Sequence, residues 1–581
     1  MRRLRIVVAV LAIVATISSV PGAIIAAPVL GDCGYQEIGS DVSRPAAFGV
    51  GPAEVVELVS EVDGEPIQMG IVRPAAAVGY RSPVIVLATP YISVDLRDVD
   101  LYECSAVLIR NFVVHGYTVV ELPVRGTGGS GGCSDFFGES ERRDLSQAVT
   151  WLGTQPWSNG SVGMLGLSYD GTTPWQAAAT GNPYLKTIVP ADGANDIFEL
   201  IFGGGETDWR WWFFTAGYWG LYGYAMQNPV YSGRDLGMTI RDVTGCPELL
   251  RGERATLESW VSGEEDSLGY WAERRLRERV KANYRGSVYL VQGMQDWNVR
   301  PGQQFPWINE LESAANIADL KITIGQWGHR WPTRSDFADG LLVWFDRWLK
   351  GLSVDTGPTV QVQDSSGRWR VEESWPPATA SQLTLYPGTS GSLTPSPSGG
   401  RARTLLGPDL ASRYYYIGEK EPGDPTPFTS NHIFLPAALE KSCVTCLAVT
   451  MPVVGSALHI SGLPELHLSD VVPTGPGGVV TALLYRYAPG GQAVRIGWGD
   501  VDLRFPAIGQ ERSSAVAPGE SMAATIRFEP LDAVVPAGET LLLILGQGNA
   551  DHMPTWSRFP VMLNHGGDLV TLRLPILPTP S

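Results

Sequence analysis

Ser161-Val-Gly-Met-Leu-Gly166-Leu-Ser168-Tyr-Asp-Gly171-Thr-Thr-Pro-Trp175 is the stretch on which the fold turns. A short apolar run (Val162, Met164, Leu165) enters Gly166-Leu-Ser168-Tyr-Asp-Gly171, after which small and apolar residues resume at helical spacing through Ala177, Ala178 and Ala179. This is the pattern of a strand, a sharp turn and a helix. A serine on such a turn adopts strained backbone angles, so the residues flanking it must be small enough for strand and helix to approach, as Gly166 and Gly171 are. Its hydroxyl then projects from the carboxyl end of a sheet at the start of a helix, the place for an acyl-transfer nucleophile. In a chain with 67 glycines the string alone also fits an ordinary turn. Its meaning depends on what surrounds it.

Upstream, strand-like and helix-like runs alternate from Ala53 to about Pro190. Val55–Val62 and Pro66–Val72 read as a hairpin across Asp63-Gly64. Val84–Thr89 and Tyr117–Leu122 are continuous apolar runs, as in strands buried on both faces. Cys104–Val114 and Glu141–Leu152 have helical spacing, and Leu185–Val189 follows the serine's helix as another strand. Such alternation predicts a mostly parallel α/β sheet, whose ligands bind at the carboxyl ends of the strands.

From residue 202 to 284 the text changes, with Trp209, Trp211, Trp212, Phe213, Phe214, Tyr218, Trp219, Tyr222 and Tyr224 crowded together and charged helical text after them. This reads as a helical cap inserted over the sheet. Its aromatics form a packing core or line an apolar pocket; Trp209, Trp212 and Phe213 are the candidates for substrate contact. The α/β pattern resumes with the strand Val288–Val291 running into Gly293-Met-Gln-Asp296, then Leu320–Ile324 running into Gly325-Gln-Trp-Gly328-His329, and closes with an amphipathic helix over 338–352. Beyond Pro358, short alternating runs between Gly and Pro turns (Leu383–Tyr386, Leu458–Ile460, Val480–Tyr487, Thr540–Leu545) predict an all-β sandwich or jelly roll. The expected organisation is an α/β domain over 45–201 and 285–353, a cap over 202–284 and a jelly roll over 356–577.

A chain of 581 residues is too long for one core. Its net charge of -17 and pI near 4.9 argue against nucleic acid as a partner, since phosphate binding needs clustered Lys and Arg. Arg2, Arg3 and Arg5 precede an apolar run from Ile6 to about Ile17 and small residues up to Ala27. That order is that of a secretory signal peptide over 1–27. A membrane anchor is the competing reading, against which the run is short and interrupted by Pro21-Gly22. The expectation is a secreted or extracytoplasmic protein with no membrane span once the signal is removed. Six cysteines (Cys33, Cys104, Cys133, Cys246, Cys443, Cys446) in an exported chain favour disulfides. Cys443 and Cys446 form a Cys-x-x-Cys with no second ligand pair nearby, so a local disulfide is expected there in preference to zinc.

A serine needs a base to take its proton, and the base needs an acid to hold it. Of seven histidines, only His115 and His329 lie in the α/β segments. His115 precedes its strand, at the wrong edge of the sheet, whereas His329 follows one at its carboxyl end. Asp296 follows the preceding strand in the same way. Serine, acid and histidine in this chain order, each just past a strand, is the arrangement expected of α/β-hydrolases.

Ser168-Tyr-Asp-Gly171 departs by one residue from the commoner Gly-x-Ser-x-Gly. Together with Arg125-Gly-Thr-Gly-Gly-Ser-Gly-Gly132, Asp144, Gln155-Pro-Trp157, Ala177-Ala-Ala-Thr-Gly181, Ile188-Val-Pro190 and, further on, Trp369, Glu373 and Trp375-Pro-Pro377, it resembles peptidase family S15. That family includes cocaine esterase, the α-amino acid ester hydrolases and the Xaa-Pro dipeptidyl-peptidases. The resemblance covers roughly residues 50–575 and implies an α/β-hydrolase core with an inserted cap and a carboxyl-terminal jelly roll.

It also implies Ser168 as nucleophile, His329 as general base and then acid, and Asp296 as the orienting acid. The oxyanion hole would be the Tyr169 N–H and the Tyr91 hydroxyl. The glycine run after Arg125 is followed by no Gly-Lys-Ser/Thr, so it is expected to shape a rim loop tied by Cys133 to Cys104 or another cysteine. No cofactor and no metal are implied. The expected partner is a small-molecule ester or a short peptide, and assembly as a homo-oligomer is compatible with the reading. Ester hydrolysis is the first expectation and Xaa-Pro dipeptide release the second. The second needs carboxylates to receive an ammonium, for which Asp196, Glu199, Glu206 and Asp208 are candidates. A reading of another class is a cell-surface carbohydrate-binding protein whose triad is vestigial.

Overall fold

The computed structural model describes residues 35, 37–39, 45–92, 95–97, 103–203, 246–267, 269–296, 298–314, 316–332, 334–407, 418–419, 431–434, 445–491, 493–547 and 559–578. The expected signal segment, Cys33, Cys443 and the aromatic stretch from 204 to 245 lie outside them.

One ten-stranded sheet carries the first half of the chain: β1 (Gly49–Val59), β2 (Pro66–Ala75), β3 (Ser82–Thr89), β4 (Thr118–Pro123), β5 (Ser158–Leu167), β6 (Leu185–Ala191), β7 (Ser287–Gly293), β8 (Asp319–Gly325), β9 (Val360–Gln363) and β10 (Trp369–Glu372). Their spatial order is β1-β2-β4-β3-β5-β6-β7-β8-β9-β10. β1 and β2 form the expected hairpin, with Val59 opposite Pro66 and Val55 opposite Gly70. From β4 to β9 each neighbouring pair is parallel.

The helices are α1 (Glu103–Phe112), α2 (Glu139–Thr154), α3 (Tyr169–Ala179), α4 (Ile197–Phe202), α5 (Pro247–Ser262), α6 (Arg277–Asn283), α7 (Phe305–Glu312) and α8 (Phe337–Trp348). Strand alternation sorts the core into two layers. Val84 and Val86 of β3 pack with Leu145 and Val149 of α2 and Ala178 of α3 on one face. Ile85 and Leu87 pack with Leu108 and Phe112 of α1 and Leu341 and Phe345 of α8 on the other. Central strands covered by helices on both sides read as unbroken apolar runs for this reason. Of the expected cap, the described part contributes α5 and α6. Cys133 is bonded to Cys246, 113 residues on, at the amino end of α5. Its partner is thus a cysteine within the insertion, not Cys104. Cys446 is also disulfide-bonded.

After β10 the described residues form two antiparallel sheets of nine and six strands. Leu385, Leu466 and Leu572 from the first and Val480, Leu484 and Leu543 from the second share one core, a sandwich in which buried and partly exposed residues alternate along strands such as Ala493–Asp502, while Thr540–Gly546 is buried throughout. The sandwich is fastened to the α/β layer by polar contacts. Asp532, held within the sandwich by His459 Nε2 at 2.7 Å, receives Arg370 of β10, and Glu529 accepts the Gly302 N–H at 2.7 Å in the loop that follows Asp296. Trp375, fully buried at the junction, packs on Phe305 with ring centroids 4.5 Å apart. No helix among the described residues is long and apolar enough to cross a membrane.

Candidate active site

Ser168 sits between β5 and α3 with φ 69° and ψ -123°, a left-handed-side conformation that side chains rarely adopt. The two glycines are what make it affordable. A Cβ on Gly166 would lie 2.2 Å from the Asp170 carbonyl oxygen, and one on Gly171 would lie 2.2 Å from that of Ala191. Strand and helix can therefore close on each other only where both positions lack a side chain. The Ser168 N–H is held by the Ala191 carbonyl of β6 at 3.0 Å.

Asp296 and His329 arrive just past β7 and β8, at the same edge of the sheet. The Asp296 side chain is fully buried. Its Oδ1 accepts the backbone N–H groups of Asn298 (2.7 Å) and Val299 (2.9 Å), and its Oδ2 lies 2.8 Å from His329 Nδ1. An ionised carboxylate only accepts, so Nδ1 carries the proton and Nε2 is left as the acceptor. Tyr91, just beyond β3, donates its hydroxyl toward Ser168 Oγ at 3.4 Å, while its own N–H is held by Thr89 Oγ1 at 3.1 Å. Tyr169 begins α3, so its N–H belongs to the helix's first turn, where amides have no partner within the helix. All five residues therefore lie just past the carboxyl ends of β3, β5, β7 and β8, where Tyr91 meets Ser168 and Asp296 meets His329.

The ring of Tyr169 is gripped from below. Its hydroxyl donates to Glu141 Oε2 at 2.7 Å, and Gln176 Nε2 donates to Glu141 Oε1 at 2.6 Å. Burial, followed by the neighbouring Asp135, pushes the Glu141 carboxyl up to about 7. Phe136 and Phe137 pack on the same ring at 5.5 and 4.0 Å between centroids. Both have positive φ, 47° and 62°. Arg274 holds this strained pair through the Asp135 and Phe136 carbonyls, next to the Cys133–Cys246 bond. The glycine-rich rim loop is thus a support for the residue beside Ser168. Arg125 is not free to bind phosphate: it is buried and spends its guanidinium on Asp144 (2.9 Å), Asp63 and the Cys133 carbonyl (2.8 Å).

Two of the four carboxylates considered for an ammonium site are otherwise engaged. Asp196 caps α4 by accepting the Glu199 N–H at 2.9 Å and lies 3.6 Å from Arg275. Glu199 lies 2.5 Å from Arg277. Glu206, Asp208, Trp209, Trp212 and Phe213 lie outside the described residues. His115 is buried before β4 and offers its carbonyl to Lys350, remote in the sheet from the carboxyl edge.

Asp192 is a member of the cluster that the sequence did not single out. One of its carboxylate oxygens, one of Asp296 and a ring nitrogen of His329 lie within 4.8 Å of one another. As a cation site this trio is poor, because both Asp296 oxygens already accept hydrogen bonds, one of them from His329 itself. The signal for Asp192 was present: Ala191-Asp-Gly193 ends a parallel strand at the same edge as Ser168. Glu141 had no comparable signal, being one polar residue on an amphipathic helix.

An α/β sheet with a serine on a strained strand-to-helix turn and an Asp–His pair at the same edge defines an α/β-hydrolase. Residues 63–331 match the X-Pro dipeptidyl-peptidase (S15) family, and residues 353–555 match the X-Pro dipeptidyl-peptidase C-terminal non-catalytic domain. The chain is 26% identical over 534 residues to a putative Xaa-Pro dipeptidyl-peptidase of Bacillus anthracis, covering 85% of this chain and 82% of that one. It is 26% identical over 403 residues to the cocaine esterase of a Rhodococcus species, covering 63% and 67%. A CocE/NonD family hydrolase from Staphylococcus aureus shares the fold, with a TM-score of 0.67 at 17% identity over 91% of this chain and 94% of that one. The protein is a hydrolase that resembles the S15 family in its α/β part and that family's C-terminal domain in its all-β part.

Proposed function

We propose that the protein hydrolyses a carboxylic ester or amide through an acyl-enzyme on Ser168, with esters as the preferred class. The observation that carries this is the Asp296–His329 hydrogen bond at 2.8 Å, at the sheet edge where Tyr91 meets Ser168 on its strained turn. His329 Nε2 takes the Ser168 proton as Oγ bonds to the carbonyl carbon. Asp296 holds the imidazolium so formed in orientation, and the Tyr91 hydroxyl and Tyr169 N–H receive the developing alkoxide. The proton then passes from His329 to the departing alcohol or amine. Water, deprotonated by the same histidine, releases the acid and restores Ser168.

Xaa-Pro dipeptide release is the second reading, favoured by the names of the family and of several relatives. The engagement of Asp196 and Glu199 by arginines weighs against it, since it withdraws two acceptors from an amino-terminal ammonium. Export is part of the proposal. It is supported by the signal-like residues 1–27 and by a disulfide of long sequence separation, which persists in oxidising compartments. Sequencing the amino terminus of the protein recovered from culture medium tests it: a start near residue 24 or residue 28 supports export, and a start at Met1 opposes it.

The substrate class is tested by assaying a panel of p-nitrophenyl acyl esters beside a dipeptidyl-proline anilide. A pre-steady-state burst and higher kcat/KM on an ester are expected. Higher kcat/KM on the anilide would replace the first reading by the second, and turnover of neither would return the chain to the binding-protein class.

A further inference from the structure

Asp192 takes no part in the proton path or in the oxyanion donors, yet it occupies the middle of the site. It follows β6 directly, between the strand that carries Ser168 and the strand that carries Asp296. It is fully buried and held at φ 41°, a strained angle that persists only where the surroundings over-determine it. Its Oδ1 accepts the Gly293 N–H at 2.8 Å, where β7 ends three residues before Asp296. The backbone amide of Arg330, next to His329, also faces its carboxyl group. Its Oδ2 has no hydrogen-bond partner among the described residues. Asp192 thus touches the turn that presents the acid and the turn that presents the base.

Two carboxylates this close in a buried site are not both ionised without a large electrostatic penalty. Asp296 is the one equipped for charge, with two backbone amides and His329 around it. We propose that Asp192 is a positioning residue for the Asp296–His329 pair, an uncharged carboxyl that joins the acid turn to the base turn and leaves Asp296 as the only anion facing the histidine. Burial, and then the charge of Asp296, push the Asp192 carboxyl well above the ordinary carboxylate range, which agrees with the neutral form. The titratable groups facing it are Asp296 from beyond β7 and His329 from beyond β8; Gly293 and Arg330 face it with backbone amides. The inference rests on the triad reading of Ser168, Asp296 and His329.

Two substitutions separate the roles. Asp192→Asn keeps the shape, the acceptor for Gly293 and the absence of charge. Asp192→Leu keeps the size and loses the acceptor. Each variant and the wild type are assayed on a p-nitrophenyl acyl ester across pH, with kcat expressed per site labelled to completion by a fluorophosphonate. The Asn variant is expected to lose no more than about threefold in kcat, and the Leu variant about 10- to 100-fold with KM little changed, the scale of a misplaced catalytic group. Any fall in wild-type kcat with rising pH that comes from ionisation of Asp192 is expected to be absent in the Asn variant.

Equal kcat per site in all three proteins would overturn the inference. So would an Asn variant as impaired as the Leu variant, or an Asn pH profile parallel to wild type; this last arm decides the matter if the Leu variant does not fold. Labelling of a Ser168→Ala control would overturn the triad reading instead, so the two failures are distinguishable.

Discussion

Replacing Tyr91 by Phe isolates one hydroxyl group. The phenol oxygen lies 3.4 Å from Ser168 Oγ, and the loop that presents it is fixed through the Tyr91 N–H to Thr89, so a Phe ring would keep the same place. The oxyanion then has the Tyr169 N–H as its remaining donor among those assigned. A preorganised donor of this kind contributes about 3 kcal/mol to the transition state, and at 1.36 kcal/mol per decade that is roughly a 150-fold loss of kcat. Because a ground-state carbonyl has not yet developed the charge the hydroxyl awaits, KM should change little. The assay is steady-state hydrolysis of a p-nitrophenyl acyl ester, with the melting temperature followed in parallel. Unchanged kcat, or a loss carried wholly by KM, would refute the assignment of Tyr91 as an oxyanion donor.

Reduction or double Ser substitution of the Cys133–Cys246 pair opens a loop of 113 residues and should cost up to roughly 5 kcal/mol of stability on chain-entropy grounds; denaturant unfolding of the oxidised and the Cys133→Ser/Cys246→Ser proteins measures it, and coincident curves would contradict it. Glu141→Gln should flatten the pH dependence of stability. Burial pushes this carboxyl up to about 7, so the folded protein keeps a proton that the unfolded chain has released, and stability falls as pH climbs from about 4.3 toward that value. The variant should therefore gain most over wild type near neutrality, read as melting temperature against pH, and parallel curves would count against it.

The α/β half was legible because its strands are buried on both faces. The runs that became β3, β4, β6 and β7 are short, apolar and bounded, which is what helices covering both sides require. The serine turn was legible for a steric reason, since the close approaches at Gly166 and Gly171 leave no room for a Cβ. Asp296 and His329 followed from a positional rule, being polar residues just past parallel strands, and Asp192 obeys the same rule.

The rest depends on contacts that no local pattern encodes. Glu141 meets Tyr169 28 residues away, Arg274 reaches Asp135 and Phe136 across 139 and 138 residues, and Glu529 braces the acid loop across 227. The disulfide is of the same kind: six cysteines allow 15 pairings, and only the fold brings Cys133 to Cys246. The engagement of Asp196 and Glu199 by Arg275 and Arg277 likewise turned possible ammonium acceptors into ion-paired supports of the site.

The central claim is that Ser168 carries the acyl group. The most direct measurement is intact-protein and peptide mass spectrometry after reaction with a fluorophosphonate. The account predicts one adduct per chain, located on Ser168 and absent from Ser168→Ala; an unlabelled wild type, or an adduct that survives in Ser168→Ala, would contradict it.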